Sequence, residues 1–300
     1  MSGRKFKRCI LIVCEGTKTE HDYFEYIASL ISIPKDIWDI VDVCDNTSLP
    51  KDFPLPAPSE LGSRKRKNFI NHNKRKISDR NILRELCIDI YGQSEGVDMY
   101  DELKAVPLRY VAQAQLIEET QQMYDELWAV FDRDGHSYHK QAYERAEKII
   151  NGKKVNIGLT SRSFEHWLIL HFEKNKTPFS SSECKNDRFI SLECNADKGC
   201  QGKDCLVGYL RTHTPLTKYQ KSNTKEDMHY MMGVLLKEKH LRKAFENAAW
   251  LRDSIKNDET IKDKKCYELN PYTDVDVLVK KLINSSYPVQ DKLQGKLQDK

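Results

Sequence analysis

Two short apolar runs that end on acidic residues constrain the fold of this chain more than any other feature. The first run, Arg8–Cys14, stops at Glu15-Gly16. The second run, Leu127–Phe131, stops at Asp132-Arg133-Asp134-Gly135. A continuous apolar run that ends at a turn residue is typical of a strand buried on both faces in a parallel sheet. The two runs therefore predict strands of such a sheet, each followed by carboxylates.

The segments around these runs predict an α/β fold with a mostly parallel sheet flanked by helices. Apolar residues at helical spacing in His21–Leu30 and an alternating pattern in Ile37–Val43 complete a β-α-β opening. The later predicted elements are a helix at Lys140–Ile150, a strand at Val155–Leu159, and helices at Ser163–Phe172, Asp227–Lys256 and Thr273–Ile283.

Two segments are predicted to interrupt the sheet domain, which comprises residues 1–44 and 121–285. Residues 45–120 form a mainly helical, basic insertion that holds a proline-rich loop, the basic run 63–76, and helices at 79–91 and from Pro107 to about 125. A second, cysteine-bearing insertion covers about 175–212, and a polar tail covers 286–300.

Composition limits the location and the partners of the chain. The net charge of the 300 residues is only +4, so overall charge does not mark a nucleic-acid binder. No apolar run approaches the length that crosses a bilayer. Basic residues precede the first apolar run, but that run is short, ends on Glu15 and has no small-residue cleavage site. We therefore expect a cytoplasmic protein without a membrane segment.

The acidic residues at the strand ends predict a metal site. If the two strands are neighbours, Glu15, Asp132 and Asp134 converge on one edge of the sheet, where ligands bind in parallel α/β folds. Carboxylates that repel one another call for a hard divalent cation such as Mg²⁺ or Mn²⁺. Residues two apart in an extended chain point the same way, so Asp132 and Asp134 can share metals. The alternative is an ordinary Asp-Gly turn between strand and helix.

Glu20 has two interpretations. Thr17-Lys18-Thr19-Glu20 fits the capping-box pattern, in which Glu20 only starts the first helix. Since that helix begins at the same edge of the sheet, Glu20 can also reach the metals. Glu165 and His166, at the start of another predicted helix, can face the same edge, although Glu165 also suits the positive end of its helix.

Four segments in order resemble the RloB family, which looks like a branch of the Toprim nucleases. They are ILIVCEGTKTEHDYF, AVFDRDG, SRSFEHWLILHF and ELNPYTDVDVLV. The resemblance implies a Toprim-like fold in which Glu15 is the first-strand glutamate and Asp132 and Asp134 are the Asp-x-Asp pair that binds Mg²⁺. Glu20 matches the second glutamate of the family's E-G-x-x-T-E pattern. The long insertion at 45–120 has no counterpart in this pattern.

The resemblance also implies a role in bacterial anti-phage defence, with this chain as a toxic nuclease beside an ATPase partner protein. The chain itself has no G-x-x-x-x-G-K-[ST] loop. The substrate stays open between DNA, transfer RNA and other RNA, and a homodimer is one option for the assembly.

Two further features suggest binding. Cys184, Cys194, Cys200 and Cys205 lie close together in a polar segment and suit a structural zinc ion, but none of the pairs has the C-x₂-C spacing of common zinc sites. Reduced, scattered thiols are the alternative. The basic run 63–76 can follow a phosphate backbone, or it can be a solvated surface loop.

Three functions are consistent with the sequence. The preferred prediction is a metal-dependent endonuclease that hydrolyses nucleic-acid phosphodiesters. The alternative from another class is a non-catalytic nucleic-acid-binding or scaffold subunit, in which the carboxylates are turn residues and the basic insertion binds. A third function keeps the same metal site but transfers nucleotides.

Overall fold

Four parallel strands and one short antiparallel strand form the sheet in the computed structural model of the chain. The strands are β1 (Cys9–Cys14), β2 (Ile40–Cys44), β3 (Glu126–Asp132), β4 (Val155–Ser161) and β5 (Tyr272–Thr273). Their order across the sheet is β2-β1-β3-β4-β5, and only β5 runs antiparallel to its neighbour. The structure describes residues 9–16, 18–31, 40–44, 84, 88, 92–102, 105–182, 205–219 and 225–285.

Helices cover both faces of this sheet, so the fold is mixed α/β, as predicted. They are α1 (Thr19–Ile31), α2 (Gln93–Glu102), α3 (Leu108–Gln121), α4 (His139–Ala146), α5 (Glu165–Leu170), α6 (Leu206–His213), α7 (Lys225–Leu235), α8 (Glu238–Lys256) and α9 (Val275–Ser285).

Alternate side chains of β1 enter two separate cores. Ile10 and Ile12 pack in the larger core with α1, α5, α8 and α9, whereas Leu11 and Val13 pack with α3 and α4. All four side chains have no exposed surface. This period-2 division of apolar residues is the reason that β1 reads as one continuous apolar run. The prediction of a strand buried on both faces is confirmed.

The strand order places a switch point beside β1. The chain runs from β1 through α1 to β2 on one side, and later returns as β3 on the other side of β1. Ligands of open α/β sheets bind at the carboxyl ends of the strands at such a point. Because β1 and β3 are parallel neighbours, Glu15 and Asp132 emerge at the same edge.

The predicted single helix at Asp227–Lys256 is wrong, because two helices occupy this range. Lys237 has an extended backbone, with φ −56° and ψ 134°, and it separates α7 from α8. A straight helix of that length would span roughly 45 Å. The break lets α7 pack on α1 while α8 packs on α5 and α9. Strand β5 and helices α2 and α6 were not predicted from the sequence.

The predicted insertion at residues 45–120 contains an element of the sheet domain. Helix α3 packs on β1 and β3, and its Val111, Ala114 and Ile117 lie in the core with Leu11. The chain from Leu108 onward therefore belongs to the layer beside the sheet. The basic run 63–76 and nearly all of the predicted helix at 79–91 lie outside the described residues, and the division into domains stays a prediction.

Among the helices of the described residues, none has the length and apolar character needed to cross a membrane.

Candidate active site

Glu15 connects the ends of the two central strands. Its backbone N–H donates to the carbonyl of Val130 at 2.8 Å, which continues the pairing of β1 with β3. Its carboxylate Oε2 accepts from the backbone N–H of Asp132 at 2.8 Å. Its Oε1 lies 2.9 Å from Nε2 of His136. Glu15 and Asp132, two of the predicted site residues, are thus brought together, and His136 contacts Glu15.

Sequence reasoning missed His136. The hydrogen bond with Glu15 raises the pKa of His136 above its ordinary value, against the opposing effect of burial, and the charge of Glu15 adds to the rise. A protonated His136 donates to Glu15 and fixes the direction of that carboxylate. The sequence signal was its position, two residues after Asp134 and at the end of the Asp-x-Asp-Gly motif.

Asp132 is the last residue of β3 and is only 6% exposed. Its carbonyl accepts a hydrogen bond of 3.3 Å from Nε2 of His139 at the start of α4. Burial lowers the pKa of His139, so this ring is neutral at neutral pH and donates through Nε2. The turn that carries Asp132 is therefore anchored to β1 on one side and to α4 on the other.

The carboxylate of Glu20 lies directly over Gly16. A Cβ atom placed on Gly16 would come within 1.8 Å of Oε2 of Glu20. Glu20 is the second residue of α1 and is 8% exposed. Its side chain thus returns to the loop that carries Glu15, and glycine at position 16 leaves the space for it. Thr17, the partner in the predicted capping box, lies outside the described residues.

Three carboxylates act on the phenol of Tyr110. Burial raises the pKa of this phenol, and the negative charges of Glu15, Asp132 and Glu20 raise it further, against the charge of Arg109. Tyr110 lies in α3, within the segment predicted as an insertion, and sequence reasoning did not place it at this edge. Its hydroxyl stays protonated and can donate a hydrogen bond beside the carboxylates.

Asp134 points elsewhere. β3 ends at Asp132, and Asp134 has a φ of 22°, so the extended geometry expected to align the two aspartates does not extend to it. Its Oδ1 accepts from the hydroxyl of Ser182 at 3.0 Å and lies 3.6 Å from Nε of Arg162. Aspartate tolerates this left-handed region better than most residues.

Glu165 is held in a buried polar network. Its Oε1 accepts from the hydroxyl of Tyr219 at 2.6 Å, and its Oε2 accepts from the hydroxyl of Ser163 at 2.5 Å. Burial and the charge of Glu165 raise the pKa of Tyr219, and Glu20 contributes to that rise. Thr19, beside Glu20, lies 3.4 Å from the same hydroxyl. Through the hydroxyl of Tyr219, Glu165 therefore helps to hold the first turn of α1 in place.

His166, the other residue predicted at the start of this helix, is fully buried. Burial lowers its pKa to about 4, so it is neutral at neutral pH.

Of the four cysteines that suit a zinc ion in the sequence, only Cys205 lies within the described residues. Cys205 is buried, and its sulfur accepts from the backbone N–H of Gly208 at 3.4 Å as the N-cap of α6. Cys184, Cys194 and Cys200 lie outside the described residues. In the part of the chain that the structure describes, no three histidine, cysteine, aspartate or glutamate side chains are gathered as a metal-binding group.

The strand order defines a mixed α/β protein with carboxylates at its switch point. The chain belongs to the RloB-like family, whose model (RloB-like protein) matches residues 10–282. No curated protein and no solved structure matches the chain.

Proposed function

We propose that this chain is a metal-dependent nuclease with a Toprim-like catalytic domain, and that its site lies at the carboxyl ends of β1 and β3. The observation that carries the proposal is the bond between Glu15 and the backbone of Asp132, with Glu20 over the same loop. Membership of the RloB-like family supports it. The proposed reaction is hydrolysis of a phosphodiester in RNA or DNA.

The residues at this edge fit a hard divalent cation by their chemistry. Glu15, Asp132 and Glu20 offer carboxylate oxygens, which Mg²⁺ and Mn²⁺ prefer. Their three charges act on the phenol of Tyr110 against the positive charge of Arg109, and within the described residues the side chains are not gathered into one metal-binding group. Glu15, Asp132 and Glu20 would hold the ion, with Asp134 adjacent. A bound cation of this kind supplies an acidified water and offsets charge that develops on the phosphate.

The side chains around the carboxylates have separate tasks in this proposal. His136 donates to Oε1 of Glu15 and keeps Oε2 turned toward Asp132. Tyr110 is a protonated donor within the acidic region. Thr19, Tyr219 and Glu165 fix the first turn of α1, from which Glu20 reaches back. Fixed donors of this kind stabilise developing charge without reorganisation.

The second candidate is a non-catalytic nucleic-acid-binding or scaffold subunit. The observation that favours it is that the site carboxylates already have protein partners: Glu15 holds Asp132 and His136, and Asp134 holds Ser182. In that function the acidic residues only shape the turns. Asp-Gly turns without chemistry are common.

Incubation of the purified chain with Mg²⁺ and total RNA or plasmid separates the two candidates. The nuclease proposal expects cleavage by the parent chain, loss of cleavage in Asp132→Ala, and cleavage retained in Asp253→Ala, which removes an exposed aspartate of α8. Circular dichroism checks that both variants are folded. Equal cleavage by the parent chain and Asp132→Ala would contradict the proposed site.

We further propose that the nuclease is the toxic effector of an anti-phage defence system and acts beside an ATPase partner, because a nuclease of the cell's own nucleic acid needs restraint. The resemblance to the RloB family implies this role, and the chain's membership of the RloB-like family is consistent with it. Growth arrest on expression of the chain alone, absent in Asp132→Ala, is the expected result.

A further inference from the structure

Two arginines emerge at the same edge of the sheet as the site carboxylates. Arg133 follows the last residue of β3, and Arg162 follows the last residue of β4. The backbone N–H of Arg133 donates to the carbonyl of Thr160 at 2.9 Å, and that of Asp134 donates to the carbonyl of Arg162 at 3.1 Å. These two hydrogen bonds join the segment after β3 to the end of β4 and to Arg162, and they hold the two arginines on adjacent segments.

Both side chains are positively charged, and the hydrogen bonds of their backbones keep them on adjacent segments. Two acidic groups face the pair: Glu268 acts on Arg133, and Asp134 lies 3.6 Å from Nε of Arg162. Asp134 also accepts a hydrogen bond from the hydroxyl of Ser182, so its negative charge does not interact with Arg162 alone. Like charges held together at a site edge are unfavourable unless an anion lies between them.

The two side chains differ in how they are held. Nε of Arg133 donates to the carbonyl of Tyr267 at 2.9 Å, which fixes the base of that guanidinium. Nε of Arg162 is buried, and within the described residues it has no hydrogen-bond partner. A buried donor without an acceptor is costly and is satisfied by a ligand in many sites. The planar fork of arginine matches the oxygens of a phosphate group.

We propose that Arg133 and Arg162 form a phosphate-binding pair that holds the backbone of a nucleic acid beside Glu15 and Asp132. The inference rests on the proposed function, because it assigns the groups that receive the substrate of that same site. Arg133 directly follows Asp132 at the end of β3, and Arg162 follows the neighbouring strand β4, so a phosphate bound between them is next to the acidic edge. The competing explanation is that the arginines only balance Asp134 and Glu268.

Binding measured without cleavage tests the pair. The probes are fluorescent single-stranded RNA and DNA oligonucleotides, and the background is Glu15→Gln, so that the probe stays intact. Fluorescence anisotropy across a salt series compares Arg133→Gln and Arg162→Gln with Arg242→Gln. Arg242 is an exposed arginine paired with Glu238 on α8, so its variant removes the same charge far from the strand ends.

Each variant of the pair is expected to bind at least about ten-fold more weakly than Arg242→Gln, with a salt dependence reduced by about one unit of slope. Circular dichroism checks folding; if loss of the Tyr267 contact unfolds Arg133→Gln, Arg162→Gln carries the test. Affinity and salt slope equal to those of Arg242→Gln, or no binding by the Glu15→Gln background, would overturn the pair.

The outcomes also separate this inference from the proposed function. Cleavage by the parent chain together with unchanged binding in both arginine variants would reject the pair and leave the nuclease in place. Weaker binding in both variants without any cleavage by the parent chain would support the pair within a non-catalytic binder.

Discussion

Oε2 of Glu15 accepts a hydrogen bond of 2.8 Å from the backbone N–H of Asp132, across 117 positions of sequence. The bond closes the gap between the ends of two parallel strands and turns one carboxylate toward the segment that carries the other. A charged acceptor on a backbone N–H is stronger than a neutral one. The carboxylates of the site are therefore positioned by the sheet itself, and the side chains around them can be tested one at a time.

Gly16→Ala tests the position of Glu20. The new Cβ would lie 1.8 Å from Oε2 of Glu20, so the carboxylate must move, while the flexible side chain lets the backbone stay. We expect cleavage to fall to the level of Glu20→Gln, with the free energy of unfolding changed by less than about 1 kcal/mol. The control is Gly233→Ala in α7, where the added atom meets nothing within 4 Å and alanine favours the helix. Full activity in Gly16→Ala would remove Glu20 from the site.

His136→Gln tests the orientation of Glu15. Loss of the ring that lies 2.9 Å from Oε1 frees the carboxylate to rotate, while Glu15 keeps its charge. Partners that orient a ligand carboxylate change activity by roughly 10- to 100-fold when removed. We expect cleavage to fall within that range, and His229→Gln, at an exposed position of α7, to have no effect. A loss as complete as that of Glu15→Gln would mean that His136 has a direct chemical role.

Tyr219→Phe tests the hydrogen-bond network that links Glu165 to the first turn of α1. The change removes the 2.6 Å hydrogen bond to Glu165 and leaves one oxygen of a buried carboxylate without this donor. We expect the free energy of unfolding in urea to fall by about 1–3 kcal/mol. Tyr230→Phe is the control, since Tyr230 is 61% exposed. Equal stability of the two variants would show that the network does not hold Glu165.

Asp274→Asn tests a pH dependence of stability. Burial raises the pKa of Asp274 to about 7, with its Oδ1 accepting from the N–H of Leu159 at 2.7 Å. The folded state then binds this proton more tightly than the unfolded state, whose ordinary pKa is near 4. The contribution to stability is therefore full below about pH 4 and is lost as the pH rises to about 7.

Urea unfolding of the parent chain and Asp274→Asn across this pH range measures the effect. We expect the difference between the two to change by about 3 kcal/mol between pH 4 and 7. The exposed control Asp253→Asn should follow the parent chain throughout. A difference that stays constant with pH would show that the pKa of Asp274 is not raised.

The sequence predicted the buried strands and the acidic residues at their ends because both depend on short-range patterns. The continuous apolar runs before Glu15 and Asp132 indicate strands buried on both faces. The ends of neighbouring strands in a parallel sheet lie at the same edge. The sequence did not show that β1 and β3 are neighbours. In the structure the two strands pair in parallel.

The remaining parts of the site could not be read from local patterns. Tyr110 lies in helix α3, and Tyr219 lies in the loop after α6. Only tertiary packing brings them to the carboxylates. Asp134 departs from its predicted direction because the strand stops two residues earlier. The break at Lys237 has no proline to mark it; packing of α7 and α8 on different helices decides it.

Cleavage by Glu15→Gln tests the central claim most directly. Glutamine keeps the size of the side chain and an acceptor for the N–H of Asp132, but it removes the charge that a metal site needs. The assay is the release of labelled fragments from RNA and DNA with Mg²⁺, compared with the exposed control Glu246→Gln and with the parent chain in EDTA. We expect cleavage by the parent chain and by Glu246→Gln, and a loss of at least about 100-fold in Glu15→Gln and in EDTA. Cleavage by Glu15→Gln at the rate of the parent chain would contradict the account.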